Sequence, residues 1–232
     1  MHNDHDISGK KVFTMKTPLT RDKLRHHITY SSWKYVLLIC AAIFGWNIIY
    51  SMTQYQPPEE KKIVMGVYSY GEDLNVTPYM QRIQAELMPD MEEISVQYIM
   101  PDETYGAMIL STRIMARECD IYVLPRTEFQ TYAAQGAFMP LDELLPGLMA
   151  DLEAAGVSLS RGNRASEESG EKHQYAIPLA DLPGAMSMLQ CDTSDMYIGV
   201  FFDTGNDENV LKFFEQFVRD LMIEPVSQII AE

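Results

Sequence analysis

The chain has 232 residues, of which 47% are hydrophobic and 22% are charged, and its formal net charge is −15. This composition excludes an intrinsically disordered protein and indicates one compact domain with additional segments. The charge is unevenly divided, because residues 1–34 hold 7 basic and 3 acidic residues, whereas residues 53–232 hold 11 basic and 30 acidic residues, a net charge of −19. Nucleic acid is therefore a poor partner for the larger part of the chain.

An uncharged segment near the amino terminus predicts a transmembrane helix at residues 35–52. These 18 residues carry no charged side chain, and at about 1.5 Å per residue they span about 27 Å of a membrane core. Both tryptophans of the chain, Trp33 and Trp46, lie near the ends of this segment, where aromatic rings favour the headgroup level. A cleaved signal peptide is disfavoured because bulky residues stand where its cleavage site needs small ones. Lipid attachment at Cys40 is disfavoured because a bulky residue precedes the cysteine, where lipoprotein processing also needs a small one.

The flanking charges predict the orientation of this helix. A basic tail at residues 1–34 should stay in the cytoplasm, which places the acidic part of the chain outside. Residues 53–62 combine paired prolines with charged residues and predict an extended spacer. The folded extracytoplasmic domain is predicted at residues 63–224, followed by a C-terminal tail at 225–232. The sequence thus predicts a single-pass protein of the cell membrane.

The outer domain opens with alternating strand and helix patterns. Short apolar runs predict strands that begin at Ile63, Ile94 and Cys119, and helical spacing of apolar residues predicts helices at 76–87 and 104–118. The order β-α-β-α-β favours a parallel sheet with right-handed crossovers.

The second half of the domain continues with helices, a polar segment and two further strands. The patterns predict helices at 129–135 and 141–155, an exposed loop at 161–172, strands from Tyr175 and from Met196, and an amphipathic helix at 208–222. The apolar side of that last helix comprises Val210, Phe213, Phe214, Phe217, Val218 and Leu221. The predicted fold class is α/β, with one N-terminal transmembrane helix followed by a single three-layer α/β lobe whose mostly parallel sheet has about five strands.

Cys119 and Cys191 allow at most one disulfide in the outer domain, and the sequence leaves their pairing open. They lack the CxxC or HxxxH neighbours that zinc requires, so two small buried apolar residues are the favoured reading. No metal site and no cofactor are predicted.

Three segments of the outer domain follow a recognisable order. The first is CDIYVLPRTEFQTYAAQGAFMPLDELL at 119–145, the second is YAIPL from Tyr175, and the third is VFFDTGNDENVLKFFEQFV from Val200. Together they resemble bacterial extracellular solute-binding proteins of ABC importers over about half of the outer domain. The resemblance implies two α/β lobes that close on a ligand, but only residues 180–199 occupy the place of the second lobe. The sequence therefore predicts a single lobe, which loses much of the contact area that domain closure provides.

The predicted ligand surface lies at the carboxyl ends of the parallel strands, where loops of an open α/β sheet meet. Tyr68, Ser69 and Tyr70 follow the first strand, Tyr105 follows the second, and Arg126 and Thr127 follow the third. These residues supply aromatic faces, hydroxyls and one guanidinium, which suit a small polar solute. The alternative is that they are ordinary loop residues that cover the strand ends.

No catalytic residues are predicted. The segment GVYSYG from Gly66 is one residue off the G-x-S-x-G spacing of a serine elbow, and His173 is the sole histidine of the outer domain. The sequence also lacks GxxxxGK[ST], GxGxxG and HExxH. A non-catalytic protein is therefore expected.

The expected function is that of a membrane-tethered extracytoplasmic solute-binding-like protein, in solute binding or as an accessory component of an ABC-type import system. Its expected partners are the membrane, a transporter permease or other membrane protein, and a small polar solute. The alternative is a non-catalytic interaction or assembly scaffold on the outer face of the membrane. A concave pocket lined by Tyr68, Tyr70 and Arg126 would favour the solute, and a flat apolar patch would favour a protein partner.

Overall fold

The computed structural model describes residues 21–53, 55, 57–165 and 172–223. The chain divides into two compact units, Met1–Gln56 and Pro57–Glu232. The predicted tail at 225–232, residues 1–20 of the predicted basic tail at 1–34, and the centre of the predicted loop at 161–172 lie outside the described residues.

The described part of the first unit is a single helix, α1 (Arg21–Thr53). Its section Ser32–Thr53 is long and apolar enough to cross a membrane by length and composition, and none of that section is buried. It covers the predicted span 35–52, and α1 begins well before that span.

The second unit contains the remaining elements. Its helices are α2 (Val76–Glu86), α3 (Gly106–Ala116), α4 (Arg126–Ala134), α5 (Leu141–Leu144), α6 (Pro146–Ala154), α7 (Ala185–Leu189) and α8 (Asp207–Leu221). Its strands are β1 (Lys62–Val67), β2 (Glu93–Tyr98), β3 (Ile121–Pro125), β4 (Asn163–Ala165), β5 (Lys172–Gln174), β6 (Ile177–Pro178) and β7 (Met196–Val200).

A five-stranded sheet in the order β2-β1-β3-β7-β6 forms the centre of this unit. β1 pairs in parallel with β2 and β3, whereas β7 pairs antiparallel with both β3 and β6. All the strands except β7 therefore run in one direction, which confirms the predicted mostly parallel sheet. β4 and β5 form a separate antiparallel pair.

Alternating side chains of the central strands supply two hydrophobic cores, one on each face of the sheet. Met65 and Val123 belong to the core that α2, α6 and α8 cover, while Val64 and Tyr122 belong to the core that α3 and α4 cover. Helices thus pack on both faces of the sheet, as the three-layer prediction requires.

The closing helix agrees with its prediction most closely. α8 spans Asp207–Leu221, and all of the residues assigned to its apolar side are fully buried. Two other predictions for the second half are wrong in detail. The helix predicted at 141–155 is divided into α5 and α6, because Pro146 has no N–H to continue the first helix and disfavours helical backbone at Leu145. The loop predicted at 161–172 contains β4 and part of β5, in which Arg164 pairs with His173.

Cys119 and Cys191 are free, buried thiols. Cys119 precedes β3 and Cys191 precedes β7, and because these strands are antiparallel the two thiols lie toward opposite edges of the sheet. Burial raises the pKa of Cys119 to about 11, so this thiol stays protonated at neutral pH.

Candidate functional site

The carboxyl ends of β1, β2 and β3 meet at one edge of the sheet, which we call the strand-end edge. The parallel pairing of these strands places all of the predicted site residues there: Tyr68, Ser69, Tyr70, Tyr105, Arg126 and Thr127. The loop before β7 joins this edge, because the Arg126 backbone N–H donates to the carbonyl oxygen of Asp195 at 3.0 Å.

Tyr68 lies beneath the surface of the strand-end edge and is only 6% exposed. Its backbone N–H donates to the carbonyl oxygen of Val123 at 2.9 Å, which ties it to the neighbouring strand. A Cβ atom on Gly106 would lie 2.8 Å from the Tyr68 hydroxyl, so the start of α3 can cover this ring only with glycine at that position. Burial, together with the nearby Glu128 carboxylate, raises the pKa of Tyr68. Tyr68 is thus a covered phenol rather than an open stacking surface.

Ser69 is half-buried, and its hydroxyl hydrogen-bonds with the Cys191 thiol. Burial raises the pKa of Cys191, and the contact with Ser69 partly offsets that rise. This contact joins the end of β1 to the segment before β7. The role of Ser69 that the contacts support is structural.

Tyr70, on the loop after β1, and Tyr105, on the loop after β2, present exposed rings, and hydrogen bonds hold the two loops. The Tyr70 ring is 68% exposed, and its hydroxyl donates to the carbonyl oxygen of Pro101 at 2.8 Å. The Asp102 carboxylate accepts the backbone N–H groups of Thr104 and Tyr105, each at 2.8 Å. These two donors lower the pKa of Asp102, so the carboxylate that orders the loop is ionised at neutral pH.

Arg126 and Thr127 are exposed in the first turn of α4, which begins directly after β3. With the Gln130 amide oxygen turned toward the guanidinium groups, it accepts Arg126 Nε–H at 3.0 Å and a second bond from Arg164 Nη2. The Arg164 guanidinium lies over the Phe129 ring, 6.0 Å from its centroid. Two arginines from separate elements therefore converge on one side-chain oxygen.

Sequence reasoning found Arg126 but missed Arg164, Gln130 and Asp102. Arg164 belongs to a three-residue strand inside a polar segment, which is too short to show a period of two. Gln130 faces the arginines because it lies one helical turn after Arg126, a spacing that becomes informative only when α4 is known to begin at Arg126.

A groove with a volume of about 270 Å³ lies between α2 and α8, and none of the predicted site residues lines it. Its walls are formed by Ile83, Leu87, Met88, Lys212, Phe213, Glu215, Gln216 and Arg219. Lys212 Nζ donates to the carbonyl oxygen of Leu87 at 3.2 Å, and Arg219 is paired with Glu215 and Asp151. The cations beside this groove already have partners in the protein.

The outer face of α3 carries an exposed apolar stripe, formed by Tyr105, Met108, Ile109 and Met115. Met108 is 59% exposed and Met115 is 84% exposed. The Thr112 hydroxyl, which lies on the same face, donates to the carbonyl oxygen of Met108 at 2.8 Å and so adds little polarity. The stripe begins at the strand-end edge with Tyr105.

His173 lies beside acidic side chains on α5, with Nδ1 at 3.2 Å from Asp142 Oδ2 and 3.6 Å from Glu143 Oε1. Within residues 21–53, 57–165 and 172–223, no group of three His, Cys, Asp or Glu side chains is arranged to hold a metal ion.

No protein-family model and no curated protein matches the chain. The structure is distantly similar to that of an extracellular solute-binding protein family 1 from Alicyclobacillus acidocaldarius subsp. acidocaldarius DSM 446, with a TM-score of 0.35 and 16% sequence identity. The similarity covers 54% of this chain and 29% of that protein, so the chain spans less than a third of that protein's length.

Proposed function

We propose that this protein is a membrane-tethered, extracytoplasmic solute-binding-like protein that holds a small polar solute at the strand-end edge. The observation that carries the proposal is the position of Tyr70, Tyr105, Arg126 and Thr127, which follow three parallel strands and lie exposed at this one edge. Open α/β sheets bind ligands outside the carboxyl ends of their strands, where the loops from successive strands meet. The wider setting that we propose is an ABC-type import system, in which the protein acts in binding or as an accessory component.

The tether in this proposal is α1. Residues 32–53 have the length and composition for a membrane span, and the basic residues before them favour a cytoplasmic amino terminus. The following domain would then act outside the cytoplasm, at the end of the short segment 53–62.

The single sheet sets the expected strength of binding. The described part of the second unit has one large sheet, so a solute at the strand-end edge contacts the protein from one side. Pockets that hold ligands tightly bury most of the ligand surface, and a second lobe normally supplies the other wall. We therefore expect modest affinity for a free solute, with a permease or another chain completing the site.

Thermal unfolding of the full chain in detergent, measured across a library of sugars, amino acids, peptides and organic acids, tests this proposal. A ligand that binds only the folded state raises the unfolding midpoint, and the stabilisation grows with the logarithm of one plus the ratio of its concentration to its dissociation constant. We expect one solute class to raise the midpoint, and the effect to fall in a Tyr105→Ala variant, whose exposed ring contributes little to folding. A well-folded protein whose midpoint no solute raises would contradict solute binding.

The apolar stripe of α3 favours a second candidate, a non-catalytic interaction scaffold whose partner is another membrane-associated protein. Contiguous exposed apolar side chains on a soluble domain mark interaction surfaces. The outer part of the chain has a net charge of −19, which disfavours an anionic lipid surface as the occupant and leaves an apolar protein surface.

A matched pair of charge substitutions tests this second candidate. Met108→Glu places a carboxylate in the stripe, whereas Met186→Glu makes the same change at a methionine on α7 that is similarly exposed. Affinity purification from native membranes should recover a stoichiometric partner with the wild type and with Met186→Glu, and should lose it with Met108→Glu. Equal recovery from all three proteins, or self-association as the sole complex in sedimentation, would contradict the heterologous scaffold.

A further inference from the structure

We propose that the strand-end edge recognises an oxyanion group of its solute, a carboxylate or a phosphate, through the guanidinium groups of Arg126 and Arg164. This inference rests on the proposed solute-binding function and names the chemistry of the group that is bound. The two arginines define what we call the arginine pair.

The arginine pair is brought together by Gln130. With the Gln130 amide turned so that its oxygen faces both guanidinium groups, that oxygen accepts Arg126 Nε–H at 3.0 Å and also a bond from Arg164 Nη2. A guanidinium has five N–H donors in a planar fork, and the bond to Gln130 engages one donor of each group. Arg164 Nη1 donates in addition to the carbonyl oxygen of Asn163 at 2.7 Å. The two Nη atoms of Arg126 make no hydrogen bond within the described residues, so that fork keeps its terminal donors for a ligand.

Neither member of the arginine pair forms an ion pair within residues 57–165 and 172–223. Three other arginines of the domain do so: Arg113 with Glu118 at 3.7 Å, Arg117 with Asp203 at 3.0 Å, and Arg219 with Glu215 at 2.9 Å.

The domain has an excess of acidic residues, with 30 acidic and 11 basic residues after position 52, and Arg113, Arg117 and Arg219 each lie beside a carboxylate. The guanidinium groups of Arg126 and Arg164 instead share a neutral oxygen, and two like charges held beside one atom repel each other. A bound anion would remove that repulsion and satisfy the remaining donors.

The acidic residue on α4, Glu128, lies near two tyrosine hydroxyls. The Glu128 carboxylate contributes to the raised pKa values of both Tyr68 and Tyr132, after the larger effect of burial in each case. Glu128 therefore borders the tyrosine hydroxyls, and it forms no ion pair with Arg126 or Arg164.

The backbones of both arginines are fixed, and the Arg164 side chain also has a ring contact. Arg126 is fixed by its N–H bond to Asp195 and is the first residue of the nine-residue helix α4, where the helix dipole also favours an anion. Arg164 is fixed by its pairing with His173 in the hairpin and by its position over the Phe129 ring. A pre-positioned guanidinium pair matches the planar or tetrahedral oxygens of carboxylate and phosphate in the bidentate geometry that strengthens such contacts.

The test compares anions with neutral solutes on the full chain in detergent at constant ionic strength. Sodium succinate, sodium phosphate and a neutral sugar are titrated while the thermal midpoint is recorded, for the wild type and for the variants Arg126→Gln, Arg164→Gln and Arg117→Gln. Arg117→Gln removes the same charge but acts on an arginine whose partner is Asp203, at the opposite edge of the sheet. We expect succinate or phosphate to raise the midpoint of the wild type and of Arg117→Gln. Each arginine-pair variant should weaken the apparent affinity roughly tenfold or more, since a charge-assisted hydrogen bond is lost.

Two further measurements keep the result interpretable. Arg126 is exposed, so Arg126→Gln should fold, and its midpoint without anion should equal or exceed that of the wild type because the repulsion is gone. Arg126→Lys keeps the charge but loses the fork, and should restore part of the anion response.

The possible failures are distinguishable. A midpoint raised by the neutral sugar and not by either anion would overturn the inference and leave solute binding standing. An anion response that is the same in Arg126→Gln, Arg164→Gln and the wild type would also overturn it. Binding to phosphatidylglycerol vesicles that depends on the arginine pair, without a response to succinate or phosphate, would assign the pair to lipid headgroups and overturn a solute site. A folded protein that responds to no solute of any charge would instead contradict the proposed function itself.

Discussion

Helices α8 and α3 lie on opposite faces of the same sheet and use their apolar residues in opposite ways. α8 is strongly amphipathic, and its apolar residues are completely buried against β7 and the neighbouring helices. α3 is on average the more apolar of the two, yet among its apolar side chains only Leu110 and Ile114 are buried, while Met108, Ile109 and Met115 face outward.

The comparison separates residues that the fold needs from residues that it does not. A helix that packs on a sheet needs one apolar stripe, and the buried residues of α3 already supply it. The additional apolar side chains of α3 lie outside the core, and in the proposed scaffold role they would contact another molecule. α8 has no such surplus, because its outer face carries charged and amide residues.

The largest effect is expected at Phe217 on α8. This ring is fully buried and lies edge-on to Tyr79, with centroids 5.5 Å apart, and stacked on Phe213, with centroids 5.9 Å apart. Phe217→Ala should lower the free energy of unfolding by about 3–5 kcal/mol, because it removes buried surface and leaves a cavity. Urea denaturation measures the change, and Met115→Ala on α3 is the matched control, with an expected change within about 0.5 kcal/mol. Similar losses of unfolding free energy in Phe217→Ala and Met115→Ala would contradict the contrast between α8 and α3.

A smaller effect is expected where α2 contacts α8. The Tyr79 hydroxyl donates to Asp220 Oδ2 at 2.7 Å, and burial holds the pKa of Tyr79 far above its usual value. Tyr79→Phe should cost about 1.5–3 kcal/mol, since a hydrogen bond to a charged acceptor is lost while the ring packing is kept.

The pH dependence of that cost follows from the raised pKa. The contribution of a group whose pKa is higher in the folded state is complete below its unfolded pKa of about 10, and it is lost as the pH rises beyond that value. The difference between wild type and Tyr79→Phe in urea denaturation should therefore be constant through neutral pH. A difference that grows toward alkaline pH would contradict this assignment.

The same contrast explains which features could be predicted from the sequence. The apolar positions of α8 repeat with a helical period, and β1 and β3 are short apolar runs, so local pattern was sufficient for these elements. The division at Pro146 follows from a local rule, because proline has no N–H to continue a helix. The pairing of Arg164 with His173 and the meeting of Arg164 with Arg126 depend on tertiary contacts between segments distant in sequence, and no local pattern encodes them.

The smallest effects are expected within the apolar stripe of α3, where they bear most directly on the comparison. Met108→Glu and Met115→Glu should each change the free energy of unfolding by less than about 0.5 kcal/mol, because both side chains are exposed. The sign should differ between them: Met108 lies in the first turn of α3, where a carboxylate is favourable to the helix dipole, and Met115 lies in the last turn, where it is unfavourable. Leu110→Ala, which truncates a buried residue of the same helix, should by contrast cost about 2–5 kcal/mol. If urea denaturation instead gave a loss above about 1 kcal/mol for either glutamate variant, the stripe would have to be part of the folded core, and the argument for a binding partner at α3 would fail.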